Sequence, residues 1–274
     1  MTTFAVVSNA VRWEWFRLRR RTEFWVILGL LALAVLGTLV VSVGVLRLIQ
    51  SDLFIPPYGY PLLVFELLSR LGPFLGIVLS GMILGSDYGW GTFRPLFARG
   101  QFRWQVVTAK LVLATLILAV VWTASWALAA VVGLLAAGTP TDGLEIAPGG
   151  SGSWVESTGR FASAWPVAIA YLLLGALLCA VGRSSAFGLG VGIAVLIVES
   201  IAYPAAGLVS ELALDVNLGD YTRWTLWGVT RGLMGRDDAL GAWVFLPAVV
   251  AYATVFAALA VLITERRDVS SGNG

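Results

Sequence analysis

Long apolar runs are the feature that most limits what this chain can fold into. Six runs reach or approach the roughly 20 residues that an α-helix needs to cross a bilayer. They lie at 24–46, 62–85, 111–137, 165–182, 186–203 and 243–263. The composition agrees, because 58% of the 274 residues are hydrophobic and 12% are charged, compared with about 25% charged in soluble domains. We therefore predict an all-α integral membrane protein with six transmembrane helices in one domain, residues 1–274.

Residues 1–23 precede these runs and predict a helix that lies flat at the lipid headgroups. Apolar residues recur there at steps of three and four, which places them on one stripe of a helix. They are Phe4, Val7, Val11, Trp15 and Leu18. Arg12, Arg19 and Arg20 fall elsewhere on the helix. The alternative is a plain basic flank that only orients the first span. The segment lacks a following cleavage site of small residues and is not predicted to be a signal peptide.

Basic residues are unevenly divided between the two sides of the six predicted spans. If the N-terminus is cytoplasmic, the cytoplasmic segments hold twelve Lys and Arg residues and the outer segments hold five. This division satisfies the positive-inside rule, so both termini are predicted to be cytoplasmic. Segment 86–110 is then a cytoplasmic loop, and segment 138–164, rich in Gly, Ser and Pro, is an outer loop.

The cytoplasmic loop 86–110 contains the residues of a short capped helix. Thr92 can cap its start, Pro95 fits its first turn and Gly100 can end it. Aromatic and arginine side chains lie within about two turns of each other: Phe93, Arg94, Phe97 and Arg99. Such residues are enriched at protein interfaces, which favours a docking site for a soluble partner. Ordinary anchors at the membrane edge are the alternative.

Three ionisable residues lie inside the predicted spans, where charge is costly and most often faces protein or water. Glu66 and Arg70 are four residues apart, a spacing that allows them to pair. They form either a mutually neutralising pair or a substrate contact. Glu199 shortly precedes Tyr203 at the outer end of the fifth run and has no partner nearby in sequence. It either lines an exit path or reaches the outer headgroups.

The order of residues in the loop resembles the pattern of permease subunits of type-2 ABC transporters, the ABC-2 family. There an acidic residue ends the second span, followed by a Gly-Thr pair, a short leucine-rich helix, an Arg-Pro turn, a further Arg and a Lys that opens the third span. The corresponding residues here are Asp87, Gly91, Thr92, Leu96, Phe97, Arg99, Gly100, Arg103 and Lys110. Asp87 stands where Glu is usual, Gly100 where Pro is usual and Phe102 where a small polar residue is usual. The six-span layout, the basic amphipathic start and the tight turn between the fourth and fifth spans extend the resemblance over the whole chain.

The resemblance implies a permease that exports its substrate and binds no cofactor itself. ATP and magnesium would be held by a separate ABC ATPase subunit, in two copies, and a second permease subunit, identical or different, would complete the path. The residues that would couple to the ATPase are Asp87, Gly91, Thr92, Phe93, Arg94, Phe97, Arg99, Arg103 and Lys110. The residues that would line the path are Glu66, Arg70, Glu199 and Tyr203. Region 204–242 resembles the short re-entrant helices that close such a path on the outer side, and the alternative is an outer interfacial helix anchored by Trp224 and Trp227.

The residue types agree with this division of labour. The chain lacks the pattern G-x-x-x-x-G-K-[ST], and its one lysine, Lys110, follows no glycine-rich loop. Histidine is absent and Cys179 is the single cysteine, so neither a catalytic site nor a metal site is predicted. The predicted function is export of a drug, antibiotic, peptide or lipid across a prokaryotic plasma membrane. A membrane anchor or accessory subunit of a larger complex, and an ATP-independent secondary transporter, are the alternatives.

Two small-residue faces predict close packing between helices. Gly81 and Gly85 form one face, and Gly188 and Gly192 form the other. Each pair is four residues apart, a spacing that lets two helix backbones approach. The faces could meet within one subunit or across a dimer.

Overall fold

A computed structural model describes residues 3–49, 53–89, 102–136, 144–145, 153–212, 223–234 and 242–266. Within these ranges, six helices are long and apolar enough to cross a membrane. The prediction of an all-α membrane protein with six transmembrane helices is confirmed. The predicted coupling helix within segment 86–110 falls mostly on residues outside the described ranges.

The helices are numbered here in chain order. They are α1 (Thr3–Leu18), α2 (Thr22–Ile49), α3 (Gly59–Gly89), α4 (Arg103–Ala136), α5 (Trp154–Gly182), α6 (Ser185–Leu212), α7 (Leu226–Leu233) and α8 (Leu246–Arg266). The six spans are α2 to α6 and α8. Strands β1 (Leu53–Phe54) and β2 (Leu144–Glu145) pair in parallel, which brings the segments that follow α2 and α4 together at one end of the bundle.

Several helices extend beyond the apolar runs that predicted them, and α5 shows why. It begins at Trp154, where the Ser153 hydroxyl accepts a hydrogen bond from the Glu156 amide at 3.1 Å. Its first turns carry Glu156 and Arg160, which form a salt bridge of 2.7 Å, so the helix starts well before the apolar run at 165. It ends at Arg183, whose φ of 50° reverses the chain into α6. The predicted tight turn between the fourth and fifth spans is therefore present.

Helices α3 and α5 form the centre of the bundle. In the most apolar 18-residue stretch of each of these two helices, 61% of the residues are buried, compared with 11% in α6 and in α8. Their backbones approach closely at Gly76, where a Cβ atom would lie 2.5 Å from the Ala168 carbonyl oxygen and 2.8 Å from the Leu172 nitrogen. Glycine at this position is required for α3 and α5 to touch, because any larger residue would collide with the opposite backbone.

The two predicted small-residue faces pack inside this one subunit. A Cβ atom at Gly81 would meet Leu189 of α6, and one at Gly85 would meet Ser185. Gly188 lies against Cys179 of α5, and Gly192 against Ile77 of α3. These glycines therefore hold α3, α5 and α6 together, which resolves the alternative between contacts within a subunit and contacts across a dimer.

The described part of region 204–242 contains the last residues of α6, which runs to Leu212, and one short helix, α7. The Thr225 hydroxyl caps it by accepting a hydrogen bond from the Gly228 amide at 3.2 Å. Val229 is fully buried, and α7 packs on α5, α6 and α8. Trp224, just before the helix, is 51% exposed. The helix is thus buried among spans while Trp224 is exposed, and both the re-entrant interpretation and the outer interfacial helix stay predictions.

Candidate functional site

The end of α3 departs from regular α-helical geometry next to the predicted coupling loop. Gly81–Gly85 is π-helical, and a last α-helical turn, Ser86–Gly89, follows it. Such widened turns change the backbone bonding pattern and occur often at functional sites. Here the Met82 carbonyl accepts a hydrogen bond from Arg21 at 2.7 Å, and the Ile83 carbonyl lies 3.4 Å from the Lys110 ammonium nitrogen. The π-helical segment thus attaches α3 to cations from two other parts of the chain.

A cluster of four charged side chains lies beside this segment, and we call it the ion cluster: Glu14, Arg17, Asp87 and Lys110. Lys110 Nζ lies 2.5 Å from Asp87 Oδ2 and 2.8 Å from Glu14 Oε2. Arg17 donates a hydrogen bond to Asp87 Oδ1 and lies 3.5 Å from Glu14 Oε2. Asp87 and Lys110 are fully buried. The ion cluster therefore joins α1, the end of α3 and the start of α4.

Arg21 extends this attachment from the turn between α1 and α2. Besides the Met82 carbonyl, its guanidinium donates to the Ser86 hydroxyl at 2.8 Å. Burial lowers the pKa of Arg21 from its ordinary value, and the nearby positive charge of Arg17 lowers it further. Asp87 acts in the opposite direction, but burial and Arg17 outweigh it.

The C-terminal end of α8 meets the same region. The Tyr88 and Thr264 hydroxyls are 2.8 Å apart, and Arg103 donates to the Glu265 carbonyl at 3.2 Å. The residues that precede and follow segment 90–101 are consequently attached to α1 and α8 as well as to their own helices. A force on that segment would reach four helices.

The predicted coupling residues divide into two groups. Asp87, Arg103 and Lys110 are described, and the first and last of them are buried within the ion cluster. While buried they offer no surface to a soluble partner and instead hold helices together; their predicted role in coupling stays a prediction. Six others lie outside the described residues, and their role stays a prediction: Gly91, Thr92, Phe93, Arg94, Phe97 and Arg99.

The predicted path residues lie on α3 and α6. Glu66 and Arg70 are both exposed on α3, and among the described residues no salt bridge joins these two side chains, so the pairing that their spacing allows is not formed. Glu199, which sequence left without a partner, accepts a hydrogen bond of 2.8 Å from the hydroxyl of Tyr171 on α5. Tyr203 belongs to α6, but its side chain is not among those that the structure describes.

Three charged residues at this end of the bundle were not predicted as site residues from the sequence: Glu14, Arg17 and Arg21. Sequence analysis assigned α1 a purely apolar inner stripe, and Leu18 is indeed buried, but Trp15 is 41% exposed. Helical spacing contained a signal, because residues 14, 17 and 21 recur at steps of three and four and share one face. That face turns toward α4, against which α1 packs.

Comparison with known proteins addresses the family directly. The model of the ABC-2 family transporter protein matches residues 9–269 of the chain. The chain belongs to the ABC-2 transporter family. None of the curated proteins compared with it matches. The chain is accordingly a membrane permease subunit of an ABC transporter, and the family implies association with an ABC ATPase.

Proposed function

We propose that this ABC-2 permease exports a hydrophobic or amphiphilic compound across a prokaryotic plasma membrane, driven by ATP hydrolysis on two copies of a separate ATPase subunit. The observation that supports this most strongly is the position of the ion cluster. Asp87 immediately precedes segment 90–101 and Lys110 follows it, and the two are in direct contact. A partner that moves the segment would therefore displace α3 and α4 together, and α1 with them through Glu14 and Arg17.

The buried position of Asp87 and Lys110 favours such transmission over direct docking. Docking would then rest on segment 90–101, for which Arg94, Phe97 and Arg99 are the candidates. Arg103, bonded to the Glu265 carbonyl, would carry the motion to α8. Both termini and segment 90–101 would face the cytoplasm, in agreement with the distribution of basic residues.

A second permease subunit would complete the transport path. Helices α2, α6 and α8 leave most of their apolar surface uncovered in the single subunit, and Glu66 and Arg70 are exposed inside a span. Charged groups in a span are expected to face protein or water and not lipid. A path shared between two permease subunits, identical or different, supplies that environment.

Co-purification tests this proposal. The tagged permease, solubilised from membranes of its own host, is expected to bring down an ATPase in about a one-to-one ratio. The double substitution Arg94→Glu and Arg99→Glu is expected to abolish this capture, because it reverses the charge of the docking segment. Arg12→Glu with Arg266→Glu is the matched control, since both residues are exposed on the same predicted side of the membrane.

The outcomes separate the alternatives. Normal capture by the Arg94 and Arg99 variant would show that the docking segment is assigned wrongly. Failure of the unmodified permease to bring down any ATPase would contradict the proposal itself and favour a membrane anchor or an ATP-independent transporter.

A further inference from the structure

Helices α3 and α6 run antiparallel, and three contacts establish which of their residues face each other. The contacts are Gly85 with Ser185, Gly81 with Leu189, and Ile77 with Gly192. Both helices continue without a break beyond the last contact, α3 through the internal Pro73. Seven residues, or two turns, beyond Ile77 lies Arg70, and seven residues beyond Gly192 lies Glu199. The same register therefore places Arg70 and Glu199 on facing sides of the two helices.

The two charges also lie at the same depth. At 1.5 Å per residue, each is about 10 Å from the contact between Ile77 and Gly192. Arg70 is about 25 Å along α3 from Asp87 at the ion cluster, within the roughly 30 Å of a hydrocarbon core. Both side chains thus belong to the half of the membrane away from the ion cluster.

Neither charge is neutralised by an opposite charge in the described part of the chain. Arg70 is exposed and makes no salt bridge with any described residue. Glu199 is half-buried, and the one polar contact that it makes there is the hydrogen bond from the Tyr171 hydroxyl at 2.8 Å. Ile77 and Gly192 are in contact, whereas no salt bridge joins Arg70 to Glu199 two turns further along the described helices. We call the space between Arg70 and Glu199 the outer cleft.

We propose that the outer cleft binds the headgroup of a zwitterionic amphiphile. The guanidinium of Arg70 would pair with an anionic group such as a phosphate, and the Glu199 carboxylate would pair with an ammonium group. Tyr171 orients the carboxylate through its hydroxyl. Phe74, which is exposed and lies one turn from Arg70 on the same face of α3, would hold the acyl or alkyl chain.

The pairing of opposite charges selects the ligand class. A purely anionic ligand would be repelled by the Glu199 carboxylate, and a purely cationic ligand would be repelled by the Arg70 guanidinium. Only a ligand with both charges compensates both residues inside the hydrocarbon, where an isolated charge is costly. The inference rests on the proposed function, because it takes the cleft between α3 and α6 as part of the transport path.

Binding of three amphiphiles with the same alkyl chain tests the inference. The purified permease in a nonionic detergent is titrated with dodecylphosphocholine, dodecyltrimethylammonium or dodecyl phosphate. Each competes with a fluorescent phosphocholine amphiphile, whose binding is followed by resonance energy transfer from the tryptophans of the protein. The unmodified protein is expected to bind the phosphocholine at least tenfold more tightly than the other two. Arg70→Gln is expected to shift the preference to the ammonium, and Glu199→Gln to the phosphate.

Arg160→Gln is the matched control, because it removes a cation from a half-exposed pair near the start of α5 and is expected to leave all three affinities unchanged. Equal affinity of the unmodified protein for the three amphiphiles would overturn the inference. The exchange variant, Arg70→Glu with Glu199→Arg, supplies a second test. If it regains the stability that both single variants lose, and no variant alters headgroup preference, the two residues pair directly and the inference is wrong.

Capture of the ATPase by the same variants separates this inference from the proposed function. Both single variants are expected to retain the ATPase, because they lie far from segment 90–101. Retained ATPase without headgroup selectivity would refute the zwitterion site and leave the permease function intact. Failure of the unmodified protein to capture an ATPase would instead refute the proposed function.

Discussion

At the scale of single residues, charge balance accounts for the buried ion cluster. Glu14, Arg17, Asp87 and Lys110 sum to zero net charge, and every member lies within 4 Å of an opposite charge. Removing one partner from a buried pair leaves an uncompensated charge, which costs far more than losing an exposed pair. The ion cluster is therefore sensitive to any single substitution that changes its net charge.

Lys110→Met is expected to lower the free energy of unfolding by about 3–5 kcal/mol, because Asp87 and Glu14 would then share Arg17 alone and the cluster would carry an uncompensated negative charge. The measurement is equilibrium unfolding of the detergent-solubilised permease, followed by tryptophan fluorescence. Asp87→Asn combined with Lys110→Met should cost less than the sum of the single substitutions, since it restores neutrality. Arg160→Met, in an exposed pair, should cost less than about 1 kcal/mol. Additive single costs would contradict the coupling of Asp87 with Lys110.

At the scale of helices, the π-helical segment and the glycines place the charged groups. A π-helical turn bonds each amide to the carbonyl five residues earlier and so changes which carbonyls remain free. In α3 this turn immediately precedes Asp87, and its carbonyls at Met82 and Ile83 accept from Arg21 and approach Lys110. Without the additional residue in the turn, Asp87 would be rotated by about 100° about the helix axis, away from the ion cluster.

Gly76→Ala is expected to lower the free energy of unfolding by about 1–3 kcal/mol, because the new methyl group would press against the α5 backbone at Ala168 and Leu172. Gly190→Ala is the matched control on α6, where a Cβ atom meets nothing within 4 Å. That substitution should raise stability by up to about 1 kcal/mol through helix propensity. Thermal unfolding of the two variants in the same detergent provides the comparison, and equal effects would argue against close packing of α3 and α5.

At the scale of the whole molecule, burial is unevenly distributed among the spans. The central helices α3 and α5 are mostly covered by other helices. In the most apolar stretches of the others, 17% of the residues are buried in α2 and 11% in each of α6 and α8. Lipid can cover most of this surface, but it cannot favourably cover Glu66 and Arg70. The exposed charges therefore indicate which face of the subunit is directed to water or to another protein.

Cysteine labelling tests the orientation of the molecule in the membrane. Cys179, the single native cysteine, is buried and can be replaced by Ser to give an unreactive background. Gln101→Cys is expected to react with a membrane-impermeant maleimide only after the cells are permeabilised, and Gly149→Cys is expected to react in intact cells. These expectations follow from the excess of basic residues on the side of Gln101. Reaction of Gln101→Cys in intact cells would contradict the predicted topology and indicate the opposite orientation.

Much of the fold could be predicted because membrane insertion depends on local composition. Six apolar runs predicted six spans, and the helices differ from the runs mainly at polar first turns such as Glu156 and Arg160 in α5. The ABC-2 family was recognisable from the order of residues between Asp87 and Lys110. The same stretch predicted that these two residues matter for coupling, although not that they are buried.

The contacts that define the candidate sites could not be read from local composition. Glu14 and Arg17 join Asp87 and Lys110, and the proposed register places Arg70 opposite Glu199, only because the helices that bear them have a particular rotation and axial offset. Those two quantities depend on packing between residues far apart in the chain, such as Gly76 with Ala168 and Gly192 with Ile77. Hydrophobicity and helical period are properties of neighbouring residues, whereas the positions of charges relative to one another are properties of the packed bundle.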